Sequence, residues 1–281
     1  MSTSIYGTDK EFTDLVGWHS GMSNEEYHAS PGLSKSKLDD INKSIQHYLH
    51  RADCRRETPS TMLGTAAHMA ILEPDVFDEV YVVSDVTDKR SKEWKKLEEV
   101  LGPGEILVDT DFYNAVVAMR KSAMSLDDPV IRAIDTGHGE AEGSLFTSDP
   151  RTGLLVKCRP DFIIPNQRVV VDIKSTKDAS PRDFEKSCGA WRYDVQAAFY
   201  TDLVSNYFGG DWEMVFVAIE NRPPYNAGVY TLSPEDVDIG RAQYKMNLQK
   251  YVDWAEGYDE TIGYTQGRKM LRIPEYFRRG L

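Results

Sequence analysis

Apolar residues change their spacing partway along this chain. In the first half they recur at helical intervals. Residues 33–48 carry Leu38, Ile41 and Tyr48 on one stripe, with Ser34 placed to cap the first turn. Residues 59–72 give a second helix through Met62, Ala66, Met69 and Ala70, which Glu73-Pro74 should stop. A charged helix over 91–100 ends at the Gly102-Pro103-Gly104 break, and another helix covers 111–125. Residues 80–83 read as a short strand. Residues 1–30 look irregular, apart from a helix start at Ser23-Asn24-Glu25-Glu26, and Pro31-Gly32 reads as a turn.

From residue 143 the period shortens. Runs over 143–148, 154–159, 161–164 and 169–175 read as strands, parted by turns at Asp149-Pro150-Arg151-Thr152-Gly153 and Pro165-Asn166-Gln167. Helices over 181–187 and 193–208 follow, then strands over 212–219 and 228–232, then a long helix over 234–255. The pattern predicts an α+β protein of α/β/α type, a central mixed β-sheet flanked by helices. The 281 residues show no repeat and no low-complexity linker. One domain over 1–281 is expected, with 1–58 as a helical N-terminal arm and 256–281 as a basic C-terminal tail.

Composition narrows the class without choosing the function. Hydrophobic residues make up 41% and charged residues 28%, the balance of a water-soluble globular chain. No apolar run approaches the ~18 residues a membrane span needs, and the N-terminus shows no secretory pattern. Cys54, Cys158 and Cys188 are odd in number and widely spaced, which suits a reducing cytoplasm and no disulfide framework. A net charge of −12 argues against a protein that simply coats DNA. Basic residues are nonetheless clustered at Lys35, Lys37, Lys43, Arg51, Arg55 and Arg56, and again at Arg268, Lys269, Arg272, Arg278 and Arg279. The second cluster could face a channel, a solvated surface or another subunit.

The candidate chemistry lies in Arg159-Pro160-Asp161 and Asp172-Ile173-Lys174, joined by apolar, β-branched residues. Side chains alternate along a strand, so Asp172 and Lys174 share a face. If this strand pairs with the run after Asp161, both acids reach one edge. Val169-Val170-Val171 should be buried, so charges follow where apolar residues belong. A metal site and a structural ion pair both fit this pattern. As a metal site it suits phosphodiester hydrolysis: Mg²⁺ takes hard oxygen ligands, and the Ile173 carbonyl could add one. Such a metal polarises phosphate and acidifies a bound water, while Lys174 would orient that water and offset transition-state charge. Glu142 could supply a further carboxylate or stand as a surface acid. His68 could be a ligand that widens the preference toward Mn²⁺, or a satisfied core histidine. Gly64 lies on the same helical face as His68 and would let the sheet approach closely. Gln196 and Tyr200, spaced i and i+4, could contact phosphate or orient Lys174, or pack as helix core and rim. Walker A, Gly-x-Gly-x-x-Gly, His-Glu-x-x-His and EF-hand patterns are absent.

Taken in order, these residues resemble the PD-(D/E)xK nuclease superfamily, whose core is restriction-endonuclease-like. More narrowly, three stretches resemble the RecE exonuclease (exodeoxyribonuclease VIII) group of phages and prophages. They are Glu142-Gly-Ser-Leu-Phe with Thr152 to Asp161, Asp172-Ile-Lys174-Ser-Thr, and Tyr193-Asp-Val-Gln196-Ala-Ala-Phe-Tyr200. The Gly64-to-His68 helix and the Tyr27-to-Ser36 segment also fit. The resemblance implies a Mg²⁺-dependent exodeoxyribonuclease, with Mn²⁺ as substitute, that digests duplex DNA 5′ to 3′ and leaves 3′ single-stranded tails. It implies His68, Glu142, Asp161, Asp172 and the Ile173 carbonyl at the metal, Lys174 as catalytic, and Gln196 and Tyr200 in support. It further implies double-stranded DNA ends as substrate, a strand-annealing partner, a homo-oligomeric ring and a bacterial or phage-infected host cytoplasm. A nuclease for single strands, flaps or internal sites would use the same residues. A non-catalytic recombination scaffold is a third reading, against which the intact Asp172 and Lys174 argue.

Overall fold

A computed structural model of the chain describes residues 12–54, 59–264 and 267–273. In the segment expected as an N-terminal arm lie β1 (Gly17–His19), α1 (Asn24–Ala29), α2 (Lys35–Lys43), α3 (Ile45–Leu49) and α4 (Arg51–Cys54). Next come α5 (Pro59–Leu72), α6 (Pro74–Val80), β2 (Tyr81–Ser84), α7 (Lys92–Glu98), β3 (Ile106–Asp109), α8 (Thr110–Met124) and α9 (Pro129–Asp135). The β-rich part holds β4 (Glu140–Ala141), β5 (Ser144–Ser148), β6 (Leu155–Cys158), β7 (Phe162–Ile164) and β8 (Val169–Thr176). The chain continues through α10 (Pro181–Trp191), α11 (Tyr193–Phe208), β9 (Glu213–Glu220), β10 (Ala227–Tyr230) and α12 (Pro234–Ala255).

The expected mixed sheet is present, in the order β10-β9-β8-β7-β4. β8 and β9 are parallel, joined over the top by α10 and α11; the other pairings are antiparallel. A second sheet, β1-β5-β6, is antiparallel, and β2 and β3 form a parallel pair. Strand alternation divides the core of the five-stranded sheet between two helical layers. Val169, Val171 and Ile173 turn to one side with Val215, Val217 and Ile219, against residues of α5, α8 and α9. Val170, Phe216 and Ala218 turn to the other, against α2, α11 and α12. Asp172 and Lys174 share the parity of Val170, so they face α11.

Local signals explain several departures from the sequence reading. The helix expected over 33–48 breaks at Ser44, which instead caps α3 by accepting the His47 N–H at 3.2 Å. Ser34 holds the cap position of α2 but makes no capping bond. Pro74 does not end the helical region; it is the first residue of α6, where a missing N–H costs nothing. Asp128-Pro129 starts α9 in the same way, with the Asp128 carboxylate accepting the Val130 N–H at 2.8 Å. Ser23 and Glu26 form the reciprocal capping box that the expected helix start requires. The first basic cluster is partly paired within the arm: Lys35 with Asp39 at 2.8 Å and Arg51 with Asp40 at 3.1 Å. Arg55, Arg56, Arg278 and Arg279 lie outside the described residues. Arg268, Lys269 and Arg272 belong to neither helix nor strand. Among the described residues, no helix is long and apolar enough to cross a membrane.

Candidate metal centre and active site

Register brings the hairpin acids together. Phe162 pairs with Val171 across β7 and β8, so Asp161 falls at the level of Asp172. The Ile173 N–H donates to Asp161 Oδ2 at 2.6 Å, an edge bond that the short strand β7 leaves open. From the adjoining helix, His68 Nδ1 stands 3.3 Å from the same oxygen. Burial lowers the pKa of its imidazole, and it prevails over the Asp172 carboxylate and the contact with the Ile173 backbone, which favour the protonated form. α5 can lie this close because Gly64 has no side chain: a Cβ there would sit 2.8 Å from Ser175 Oγ.

Glu142 completes the cluster. One ligand atom each from His68, Glu142 and Asp161 falls within 4.8 Å of the others. Glu142 has a left-handed backbone, φ 54°, which residues other than glycine rarely adopt and which gathers at functional sites. Arg159 Nε donates to its carboxylate at 2.7 Å while Arg159 Nη1 holds Ser144 Oγ and the Met22 carbonyl, both at 2.7 Å. The following residue must be glycine, since a Cβ on Gly143 would overlap the Trp18 ring.

Asp172, the second acid of the hairpin, stands beside Lys174 and Gln196. It is buried, and its carboxylate meets Lys174 Nζ at 2.5 Å and accepts a hydrogen bond from Gln196 Nε2. Lys174 in turn donates to Gln196 Oε1 at 3.0 Å and lies 4.6 Å from the centre of the Tyr193 ring. Gln196, whose helix position made it a candidate to contact phosphate or orient Lys174, thus touches both members of this pair. Tyr200 lines the same cleft, half-buried, and burial raises its hydroxyl pKa well above the usual range. Tyr193, Arg159 and Lys35 were not singled out as site residues in the sequence. The first two lie within the stretches that carry the resemblance, beside residues that were.

Apart from the buried Asp172, these groups open onto one cleft of about 1230 Å³, beyond the C-terminal ends of the parallel strands β8 and β9. Its walls include Ser175 to Lys177 and Asn221 at the strand ends, and Tyr27, Ser34 and Lys35 of the arm. The electrostatics favour a cation. Burial, then the Asp172 and Glu142 carboxylates, hold the Asp161 carboxyl well above its usual range. Burial opposes the charge of Lys174, yet Asp172, Tyr193 and Asp161 outweigh it and raise its pKa. One imidazole and two carboxylates, converging with repulsion between the acids, suit a divalent ion.

The family model described as a PDDEXK-like domain of unknown function (DUF3799) matches residues 34–263. No curated protein matches the chain. A solved structure of a candidate exonuclease from Eubacterium rectale superposes with a TM-score of 0.62 at 13% identity, covering 94% of this chain and 100% of that one. That likeness concerns the fold. A solved structure of SSO0001 aligns at 14% identity over 69% of this chain and 88% of that one, with a TM-score of 0.30.

Proposed function

Since the chain belongs to the PDDEXK-like family whose model spans residues 34–263, we propose that it is a metal-dependent deoxyribonuclease acting on DNA ends. The observation that carries this is the convergence of His68, Glu142 and Asp161 on the cleft that also holds Lys174. These three side chains would hold a divalent ion, Mg²⁺ by the hardness of its oxygen ligands or Mn²⁺ given the histidine, with the Ile173 carbonyl adjoining. Bound there, the ion would polarise a phosphate and acidify a water. Lys174 keeps its proton against burial because Asp172 stands beside it, so it presents a fixed cation to the phosphate or the attacking water. Gln196 binds both members of that pair and fixes their geometry. Tyr200 presents a neutral hydroxyl to the same cleft.

Digestion from 5′ to 3′, with 3′ single-stranded tails left for an annealing partner, follows from the resemblance to the RecE group. So do the homo-oligomeric ring and a cytoplasmic setting in a bacterial or phage-infected host. Linear duplex labelled at either end, beside a closed circle, tests this reading with Mg²⁺ and an Asp172→Ala control. Early release of the 5′ label, with the circle intact, is the expected result. Cleavage of the circle would rule out a strict exonuclease and favour the internal-site reading. No cleavage with Mg²⁺ or Mn²⁺ would overturn both.

A further inference from the structure

Trp191 ends α10 on the rim of the cleft, and the residue is 65% exposed. Of the Tyr and Trp side chains that line the cleft, Tyr27 is buried and Tyr193 and Tyr200 are half-buried; only this indole is open. Its backbone is held firmly. Lys35 Nζ donates to the Trp191 carbonyl at 2.8 Å while pairing with Asp39. Arg192, the next residue, has a left-handed backbone at φ 55°, and its guanidinium reaches Asp39 at 2.8 Å and Asn247 at 2.9 Å. Two cations therefore fix the corner between α10 and α11 while the indole stays unpacked. The Tyr193 ring connects this corner to the reacting groups, with Lys35 and Lys174 at 6.0 Å and 4.6 Å from its centre.

A rigid backbone carrying an open aromatic face suits stacking, because a large flat surface is offered with little left to order. Every nucleobase has a face that such a ring can take, whatever the sequence. A base can use it only when it is out of its pair. We infer that Trp191 stacks on an unpaired nucleobase next to the phosphate presented to Lys174. The strand entering the cleft is then single-stranded at that point, even when the substrate is a duplex end. This inference rests on the nuclease reading and adds the state of the DNA that the site accepts.

The test uses the full chain with Ca²⁺ and two fluorescent strands of equal length, oligodeoxythymidylate and a fully abasic strand. The parent should bind the thymidylate strand about tenfold more tightly, a difference of the size that base–aromatic stacking gives. Trp191→Ala should lose that preference and raise KM for linear duplex, with kcat little changed and the melting temperature retained. Trp191→Phe should keep most of it. Equal affinity of parent and Trp191→Ala for the thymidylate strand would overturn the inference, as would a parent indifferent to the missing bases. If the parent cleaves DNA while Trp191→Ala is unaltered in both assays, the inference fails and the nuclease reading stands. Trp191-dependent binding without cleavage under any cation has the opposite meaning.

Discussion

Lys157 on β6 and Lys174 on β8 both extend into the interior, and their surroundings give them opposite properties. Burial opposes the charge of each. Around Lys174 stand Asp172 and Asp161, with the Tyr193 ring, and its pKa rises. Around Lys157 no carboxylate approaches closely enough to pair among the described residues. Its Nζ donates to the carbonyls of Tyr27 and Ser30, where α1 ends, and lies 4.5 Å from the centre of the Tyr27 ring. Burial, then Lys37 and Arg51, lowers its pKa to about 7. Lys157 fastens the arm that walls the cleft; Lys174 faces the cleft itself. The contrast teaches that a buried lysine is defined by its partners. Acids make it a permanent cation directed at substrate, whereas carbonyls and rings make it a clasp.

Exchanging each lysine for methionine should separate the two roles. Lys174→Met is expected to slow DNA digestion by about a hundredfold to a thousandfold, as when a preorganised charge is removed from a transition state. Lys157→Met should leave the arm's carbonyls without a donor and cost about 1–3 kcal/mol in urea unfolding, with kcat affected far less. A large loss of rate in Lys157→Met at a temperature where it stays folded would break the distinction.

Acidity sharpens the comparison. In the unfolded chain both lysines titrate near 10.5, the ordinary value for the side chain. With Lys157 lowered to about 7 in the folded state, the unfolded chain binds more protons between these values, so stability climbs as pH rises through that window. Lys174 is shifted the other way. Its contribution is fully present below 10.5 and is lost only as pH rises through its higher folded value. Urea midpoints should therefore increase from pH 7 to pH 10 in the parent, and the increase should shrink in Lys157→Met. An unchanged slope in that variant would refute the assignment.

The smallest effect concerns the approach of α5. Gly64→Ala places a methyl against Ser175 Oγ, a short side chain that can turn aside, so a loss of activity of only a few-fold is expected. Ser175→Ala in the same chain should restore it. No rescue would mean that His68 is positioned by something other than this close contact.

The hairpin was legible in the sequence because its signals are local: two β-branched runs, a turn and an alternation that puts Asp172 and Lys174 on one face. Long periodic helices such as α5, α8, α11 and α12 were legible for the same reason. β1 and β4 were not, because they are three and two residues long and pair with strands far along the chain. β3 follows a Gly-Pro-Gly break and finds its partner in β2 across the intervening α7. α6 was missed because Glu73-Pro74 reads as a stop rather than a first turn, and α9 because seven residues opened by Asp128-Pro129 give too short a periodic stretch. Of the site, sequence spacing could suggest neighbours but not partners. It could not show that Asp172 would be held by Lys174 and Gln196 while His68, Glu142 and Asp161 converge. Lys157 did carry a signal, a lone charge in the apolar run Leu154-Leu155-Val156-Lys157-Cys158, yet its partners lie some 130 residues earlier.

The most direct test of the central claim is the rate at which the parent degrades linear duplex DNA with Mg²⁺, followed through chelation and readdition and compared with Asp161→Asn. Digestion should stop when the ion is chelated, resume when Mg²⁺ is restored, and run at least about a hundredfold slower in Asp161→Asn. Digestion that survives chelation, or that Asp161→Asn performs at the parent's rate, would contradict the account.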